Sequence, residues 1–295
     1  MGRAHARALA GNRDVELVAV VEPSDEAVAA LPGVARRTLG ELTESGEVDG
    51  AVVAVPTRLH VEVVSALLRA GIPVLAEKPC GRTSVETRAL VELAEQTGTG
   101  LWVAYWRRFV PELRALRARI AAGQLGTVSH VFCSQWDERP PPPGFRDPVS
   151  SGGIVVDMGV HEFDQIRWLT GQELDDVGGF PSSVCSEPPV AGDPESVDLA
   201  VRLSGGATGL VTLGRRHPPG ETVVVEVIGT EGAARVEFVR PGDGGARIAD
   251  ALRRQAEAFA VAVRGGGWDG VTSADAVAAL AAAERAASSI AGQSN

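Results

Sequence analysis

The sequence predicts an α/β protein in which a doubly wound parallel sheet is followed by an α+β domain with a largely antiparallel open sheet. Over the first hundred residues, short β-branched segments alternate with longer helical ones, as they do in βα units around a parallel sheet. Beyond about residue 106, several strand-like segments follow one another instead, separated by Gly-rich turns. A length of 295 residues also suits two domains. We therefore place the first domain at residues 1–106 and the second at 107–295.

Four apolar segments predict the strands of the first domain: residues 16–22, 50–56, 73–77 and 100–106. Their near-continuous apolar character is typical of strands that are buried on both faces. Helices are predicted between the strands, beginning at the N-capping hydroxyls of Ser24, Thr57 and Thr83. This order of elements is that of a Rossmann-like nucleotide-binding domain.

The first domain begins directly on a helical segment, residues 2–11, with no strand before it. A sheet of this kind normally starts with a strand and a Gly-rich turn. The residues around Gly2 fit the end of a G-x-G-x-M-G turn. Because deleting a central strand would leave its neighbours with unpaired backbone groups, we expect the first strand and two glycines to be encoded upstream of Met1. A truly shortened protein is the alternative.

The second domain is predicted to contain a charged helix, a strand, a Pro-rich loop, a central helix, four further strands and two Ala-rich helices. These segments are residues 111–126, 127–138, 140–153, 154–171, 196–204, 207–215, 222–230, 233–239, 247–264 and 273–291. Runs of strands after a single helix favour antiparallel pairing. The partial alternation of apolar residues between 194 and 239 leaves a sheet face that we expect to form a homodimer or homotetramer.

Charge and composition exclude several classes of partner. The chain carries 28 Lys and Arg against 38 Asp and Glu, a net charge of −10 that would repel nucleic acid and anionic membrane surfaces. We therefore expect no nucleic-acid and no membrane partner. Three isolated cysteines and the lack of an apolar signal segment favour a reducing cytoplasm.

Glu22 lies at the end of the second predicted strand, about 20 residues after Gly2. An acidic side chain at that point can accept hydrogen bonds from the adenosine ribose of a dinucleotide and would repel the additional phosphate of NADP. The sequence therefore favours NAD over NADP. An exposed Glu that merely flanks a helix is the alternative.

The tripeptide Glu77-Lys78-Pro79 follows an apolar strand at its carboxyl end, which is the edge where open α/β sheets bind ligands. The ammonium of Lys78 could hold a substrate hydroxyl there and stabilise a developing alkoxide. A solvated lysine is the alternative. His5, which has no partner pattern, we interpret as structural or solvated.

The segment from 152 to 169 gives the strongest local pattern. Helical spacing places Asp157 and His161 four residues apart on one face, as a candidate proton-transfer pair. A surface ion pair and a buried structural hydrogen bond are the alternatives. We expect no metal, since a catalytic metal needs three protein ligands and no second His or Cys is near in sequence.

Taken in order, these motifs resemble those of the Gfo/Idh/MocA family of NAD(P)-dependent sugar and polyol oxidoreductases over nearly the whole chain. The motifs are MGRAH, AVPTRLH, AEKPC, YWRRF, SGGIVVDMGVHEFDQIRWLTG and IGTEG. Within the family, the context around the Pro-rich loop and the double Arg looks most like inositol 2-dehydrogenases. The chain departs from the family in the absent first turn, in Glu22 where Asp is common, and at Trp106.

The resemblance implies hydride transfer between NAD and a secondary alcohol of a polyol or sugar, such as an inositol. It implies that Lys78, Asp157 and His161 form the catalytic set, in which His161 takes the hydroxyl proton, Lys78 positions the hydroxyl and Asp157 orients the substrate or the imidazole. It also places Pro56, Thr57 and His60 on the loop flanking the nicotinamide. With these, Gly2, Glu22, Glu77 and Lys78 are the predicted cofactor contacts.

We expect Arg107, Arg108, Asp137 and the Pro-rich loop to line the substrate pocket, although the prolines could instead only stiffen a surface loop. Two other functions stay open at this point. One is a non-catalytic protein of the same fold, either a ligand sensor or a remnant. The other is an NAD-dependent glycosidase, which uses a transient oxidation.

Overall fold

The computed structural model describes residues 1–184, 193–243 and 245–291, and the chain divides into two compact units. Unit 1 consists of Met1–Gly81, Val85–Trp106 and Ala249–Ser273. Unit 2 contains the rest of the described chain. The sequence-based domain limits stay a prediction; the structure places residues 249–273, which the sequence assigned to the second domain, within unit 1.

Helices and strands of both units follow one another in chain order. The helices are α1 (Gly2–Ala10), α2 (Asp25–Ala29), α3 (Leu39–Ser45), α4 (His60–Arg69), α5 (Ser84–Thr97), α6 (Pro111–Ala121), α7 (Pro143–Arg146), α8 (Pro148–Ser151), α9 (Gly153–Asp157), α10 (Gly159–Thr170), α11 (Ala246–Val263) and α12 (Ser273–Ile290). The strands are β1 (Ala19–Val20), β2 (Ala35–Arg36), β3 (Ala51–Val53), β4 (Val74–Glu77), β5 (Leu101–Ala104), β6 (Val128–Trp136), β7 (Leu174–Ser182), β8 (Ser196–Leu203), β9 (Thr208–Gly214), β10 (Thr222–Gly229) and β11 (Ala233–Val239).

Unit 1 carries parallel strands, as predicted. Strands β3, β4 and β5 form one parallel sheet, and β1 and β2 form a separate parallel pair. Strand β1 is shorter than its predicted range because it is paired over two residues only. The sequence did not predict β2 or α3. Helix α3 is set by a capping box, in which Thr38 and Glu41 each bond the other's backbone amide.

The core of unit 1 surrounds its central strand. All four residues of β4 are buried. Leu75 of this strand packs with Ala104 and Phe259, and Trp102 meets the Phe259 ring edge to face with ring centres 5.6 Å apart. Helix α11 therefore belongs to this core, although it lies more than 140 residues further along the chain. The buried sheet is a rigid base for the loops at the carboxyl ends of its strands.

Unit 2 contains a six-stranded mixed sheet in the order β11-β10-β6-β9-β8-β7. Strand β6 runs parallel to β9, and the other neighbouring pairs are antiparallel, which confirms the largely antiparallel sheet. Along β8, buried and exposed residues alternate. The sequence did not predict β7, which contains two glycines and a proline. At Gly179 a Cβ atom would lie 2.0 Å from the carbonyl oxygen of Asp198, so glycine is needed for β7 to pair with β8.

The central helix of unit 2 was predicted as one element, but the structure has two helices in its place. It is interrupted at Met158, which separates α9 from α10. Before it, Gly152 takes a φ of +78°, in the region that favours glycine. Asp157 therefore ends one helix and His161 stands in the first turn of the next. No helix in the described part of the chain is long and apolar enough to cross a bilayer.

Candidate active site

The N-terminus of α1 lies close to the carboxyl end of β3 in unit 1. A Cβ atom on Gly2 would be 3.9 Å from that of Ala54, and Gly2 itself is exposed. The amides of Ala4 and His5 donate to the carbonyl of Met1 at 2.8 and 3.1 Å, closing the first turn. The partial positive charge of such a helix end favours a phosphate. Gly2 therefore stands where a dinucleotide pyrophosphate would be expected.

Glu22 lies two residues after the end of β1. Its Oε1 accepts a hydrogen bond from the amide of Ser24 at 2.9 Å, and Ser24 in turn caps α2. This bond holds the carboxylate at the carboxyl end of β1. The position suits the ribose contact that the sequence predicted.

A buried hydrogen bond joins α1 to β4. Nε2 of His5 donates to Oε1 of Glu77 at 2.6 Å, and the amide of Lys78 donates to Oε2 of Glu77 at 3.1 Å. His5 and Glu77 are both buried, whereas Lys78 is half-buried. Of the two alternatives for His5, the structure supports the structural one, because the side chain is buried and bonds Glu77. No spacing rule could have paired two residues 72 positions apart.

His60 connects two loops at the carboxyl ends of β3 and β4. Its Nδ1 lies 2.8 Å from the carbonyl oxygen of Pro79, and its Nε2 lies 2.9 Å from that of Val55. The segment between Val55 and His60 begins with Pro56, which is exposed, and Thr57, which is half-buried. His60 thus holds the Pro56 loop against the segment after Lys78.

Together, these four features of unit 1 fit a dinucleotide. The helix N-terminus offers amides for phosphate, the Glu22 carboxylate offers an acceptor for ribose hydroxyls, and the two histidines fix the loops that follow β3 and β4. Among the described residues, no three His, Cys, Asp or Glu side chains are grouped so that they could hold a metal.

In unit 2, the carboxylate of Asp157 is held by an arginine, Arg215, that lies outside the predicted sequence motifs. Nη1 of Arg215 donates to Oδ2 of Asp157 at 2.9 Å. The side chain of Arg215 is fully buried, while that of Asp157 is 16% exposed. The only sequence signal for Arg215 is its place directly after an apolar strand. This ion pair with Arg215 was not among the predicted alternatives, which concerned a contact between Asp157 and His161.

His161 lies in unit 2, 6% exposed, in the first turn of α10. Its amide donates to the carbonyl of Met158 at 3.1 Å, across the interruption between the two helices. Asp157 and His161 therefore flank a local irregularity rather than sitting in one regular helix.

Arg107 and Arg108 are buried in ion pairs within unit 2. Nη1 of Arg107 lies 2.7 Å from Oε1 of Glu162. Nε and Nη2 of Arg108 form a bidentate pair with Asp164, at 3.0 and 2.6 Å. Burial alone would lower the pKa of Arg108, but the carboxylates of Asp164 and Asp275 together outweigh burial and raise it. Substrate contact by either arginine stays a prediction; the contacts described here are structural.

Asp137 lines an open cavity of about 570 Å³ together with Glu138, Arg139 and Glu221. Its side chain accepts a hydrogen bond from Nε2 of Gln135 at 3.3 Å. Burial and the neighbouring Asp137 carboxylate both raise the pKa of Glu221 above its ordinary value. The cavity is large enough for a small polar molecule, and substrate contact by Asp137 stays a prediction.

The fold and these side chains define an NAD-binding oxidoreductase with a separate α+β unit. Residues 1–105 match the model of an oxidoreductase family with an NAD-binding Rossmann fold, and residues 113–235 match that of the GFO/IDH/MocA C-terminal domain. The chain belongs to the GFO/IDH/MocA family and is an NAD-dependent oxidoreductase. The family resemblance that the sequence motifs indicated is confirmed.

Several relatives span almost the whole chain. The rhizopine catabolism protein MocA of Rhizobium meliloti is 46% identical, with 97% of this chain and 90% of that protein covered. The inositol 2-dehydrogenase of Rhizobium meliloti strain 1021 is 31% identical, with 99% and 94% covered. The crystal structure of a myo-inositol dehydrogenase from Corynebacterium glutamicum superposes with a TM-score of 0.88 at 26% identity, covering 99% of this chain and 94% of that one. The structure of GenD2 from gentamicin A biosynthesis, solved in complex with NAD, superposes with a TM-score of 0.90 at 25% identity. The match covers 100% of this chain and 92% of that one.

Proposed function

We propose that this enzyme oxidises a secondary alcohol of a cyclic polyol of the inositol type, with NAD as cofactor. The observation that carries the proposal is the Asp157 carboxylate, held by Arg215 in the turn before His161, in a chain 31% identical to an inositol 2-dehydrogenase. Oxidation of an alcohol needs a group that removes the hydroxyl proton, and an imidazole near a fixed carboxylate suits that task. NAD supplies the two-electron acceptor when it is bound.

Three side chains have the proposed chemical roles. His161 is the general base that takes the hydroxyl proton, and burial of the imidazole limits competition from water. Lys78, at the carboxyl end of β4, holds the hydroxyl oxygen and stabilises the negative charge that develops on it. Asp157 orients the substrate or the imidazole as a fixed negative charge.

Cofactor binding is proposed for the loops of unit 1. Gly2 meets the pyrophosphate at the start of α1, Glu22 accepts from the ribose hydroxyls, and Pro56, Thr57 and His60 flank the nicotinamide. Glu77 and Lys78 complete this set, with Glu77 holding Lys78 by a bond to its amide. The negative charge of Glu22 supports NAD over NADP.

The sheet of unit 2 supports a homo-oligomer. Its exposed apolar side chains include Phe180 at 77%, Leu210 at 37% and Ile228 at 40% exposure. Such side chains on a sheet face favour a self-complementary contact between two copies, so we propose a homodimer or homotetramer. The buried free thiols of Cys80 and Cys133 support a reducing, cytoplasmic setting.

The experiment that tests the activity is a measurement of NADH formation with a panel of inositols, linear polyols and aldoses, beside the release of aryl alcohol from aryl glycosides. We expect turnover with one or more inositols and no hydrolysis of glycosides. Hydrolysis that needs catalytic NAD would support the glycosidase alternative instead. NAD binding by calorimetry without turnover of any polyol would support a ligand sensor.

A further inference from the structure

A buried chain of ion pairs leads away from Asp157 into unit 2. Arg215 contacts Asp157 through Nη1, and its Nη2 donates to Oδ1 of Asp193 at 3.1 Å. Asp193 is 1% exposed, and its Oδ2 accepts from Nε of Arg146 at 2.7 Å. Two arginines and two aspartates therefore alternate, and each guanidinium lies beside a carboxylate.

The same aspartate also holds the helix that carries Asp157. Oδ1 of Asp193 accepts a bond from the amide of Ile154, in α9, at 2.7 Å. The backbone of Arg215 is fixed as well, because its amide donates to the carbonyl of Glu195 at 2.8 Å. Asp193 thus connects both ends of the Arg215–Asp157 contact, namely the guanidinium and the helix on which the carboxylate stands.

We propose that Arg215 is a positioning residue for the reaction, which fixes the Asp157 carboxylate in one place through an ion pair whose other arm is anchored on Asp193. This inference rests on the proposed function, in which Asp157 takes part in catalysis. Arg215 is inaccessible and cannot touch a substrate, whereas Asp157 is 16% exposed and can. A planar guanidinium with one arm to each aspartate sets the direction of the carboxylate as well as its charge.

Fixing Asp157 has a chemical consequence for the substrate. A carboxylate that is already oriented needs no rearrangement when charge moves in the transition state, and this preorganisation is a main source of catalysis. Burial alone would lower the pKa of Arg215, but Asp157 and Asp193 outweigh burial and raise it. The guanidinium therefore stays charged throughout the pH range in which the enzyme is assayed.

The test is a double-mutant cycle on kcat, with Arg215→Lys, Asp157→Asn and the double variant. Lysine keeps the charge, but its single ammonium cannot contact both aspartates as the two Nη atoms of arginine do. We therefore expect Arg215→Lys to lower kcat roughly 10- to 100-fold, the effect of a small displacement of the Asp157 carboxylate. Calorimetry should show NAD affinity within about twofold of wild type. In the double variant, kcat should equal that of Asp157→Asn, because Arg215 acts through Asp157.

Arg216→Lys is the matched control. This neighbouring arginine pairs with Glu195 at 3.2 Å and is 48% exposed, so its replacement should leave kcat unchanged. An unchanged kcat in Arg215→Lys, or a double variant whose loss is the full product of the single losses, overturns the proposal. If Arg215→Lys does not fold, Asp193→Asn replaces it in the same cycle with the same expectations. Wild-type enzyme inactive on every polyol would instead overturn the proposed function.

Discussion

Nε2 of His5 and Oε1 of Glu77 lie 2.6 Å apart, and their side chains are only 5% and 6% exposed. The bond joins the first helix of the chain to the end of the central parallel strand β4. The Glu77 carboxylate also accepts a hydrogen bond from the amide of Lys78, the residue proposed to hold the substrate hydroxyl. A structural pair inside the cofactor domain thus has a direct connection to the proposed chemistry.

Glu77→Ala and His5→Ala should therefore destabilise the protein and weaken NAD binding together. Removing one partner of a buried polar pair leaves the other without compensation, at a cost of about 3 kcal/mol. Urea denaturation measures the free energy of unfolding, and calorimetry measures NAD affinity. Arg7→Ala, an exposed position on the same helix, is the control and should change neither by a measurable amount. Weaker NAD binding at full stability would mean that Glu77 contacts the cofactor directly.

His161→Ala should reduce turnover by roughly 10² to 10⁴ while NAD affinity is kept, since this is the usual contribution of general acid–base catalysis. The rate of alcohol oxidation should rise with pH as the imidazole loses its proton, and this dependence should be absent from the variant. Steady-state kinetics across pH measures both effects.

The structural alternative for Asp157 and His161 makes a different prediction. If the two residues only stabilise the helices, then His161→Ala and Asp157→Ala lower the melting temperature and leave turnover per folded molecule unchanged. Melting and turnover measured on the same preparations separate the two cases. Full activity in His161→Ala would exclude it as the base.

Lys78→Ala should also lower kcat by roughly 10² or more, because the developing alkoxide loses its positive partner. Lys78→Arg should not restore activity, since a planar guanidinium cannot replace a compact ammonium beside a reacting hydroxyl. The comparison of kcat among the three proteins is the measurement. Arg88→Ala, an exposed position on α5 in unit 1, is the control. Wild-type turnover in Lys78→Arg would show that charge alone suffices.

Sequence patterns predicted the elements that depend on local signals. Strands β3 to β5 and helices α4 and α5 were predicted because apolar runs and N-capping residues mark them. Strand β7 was not, since Gly179 is required by the close approach of the neighbouring strand rather than by any local preference. The interruption at Met158 also escaped prediction, because the helical periodicity of the sequence continues through it.

The candidate site divides in the same way. Sequence motifs pointed to Lys78, Asp157 and His161, because the proposed chemistry needs these residue types. Arg215 was not found, since its partner Asp157 is 58 positions away and an arginine after a strand is common. His5 was noticed without a role for the same reason. Long-range pairing is a property of the folded chain, and a single sequence carries no signal for it.

Arg108→Lys should lower the free energy of unfolding by about 2 kcal/mol, because the bidentate pair with the buried Asp164 cannot be remade by an ammonium. If Arg108 also contacts the substrate, as the sequence predicts, the KM for the polyol should rise in the folded variant as well. Denaturation and kinetics on the same protein test this. Arg235→Lys, in an exposed ion pair with Glu226, is the control. A rise in KM at unchanged stability would support substrate contact by Arg108.

The thiol of Cys80 should be inert in the folded enzyme. Burial raises its pKa to about 12 from an ordinary 9.0, so the reactive thiolate, about a tenth of an ordinary thiol at pH 8, falls to about 10⁻⁴. Raising the pH from 7 to 9 should therefore not start the reaction, in contrast to an exposed cysteine. Cys133 is also buried, and its pKa is raised well above the ordinary value, first by burial and then by Glu162.

The measurement is labelling with a thiol reagent in a Cys185→Ala background, since Cys185 lies outside the described residues. Native protein should take up no label and urea-unfolded protein two equivalents, and rapid labelling of the native state would show that the segment after Lys78 opens.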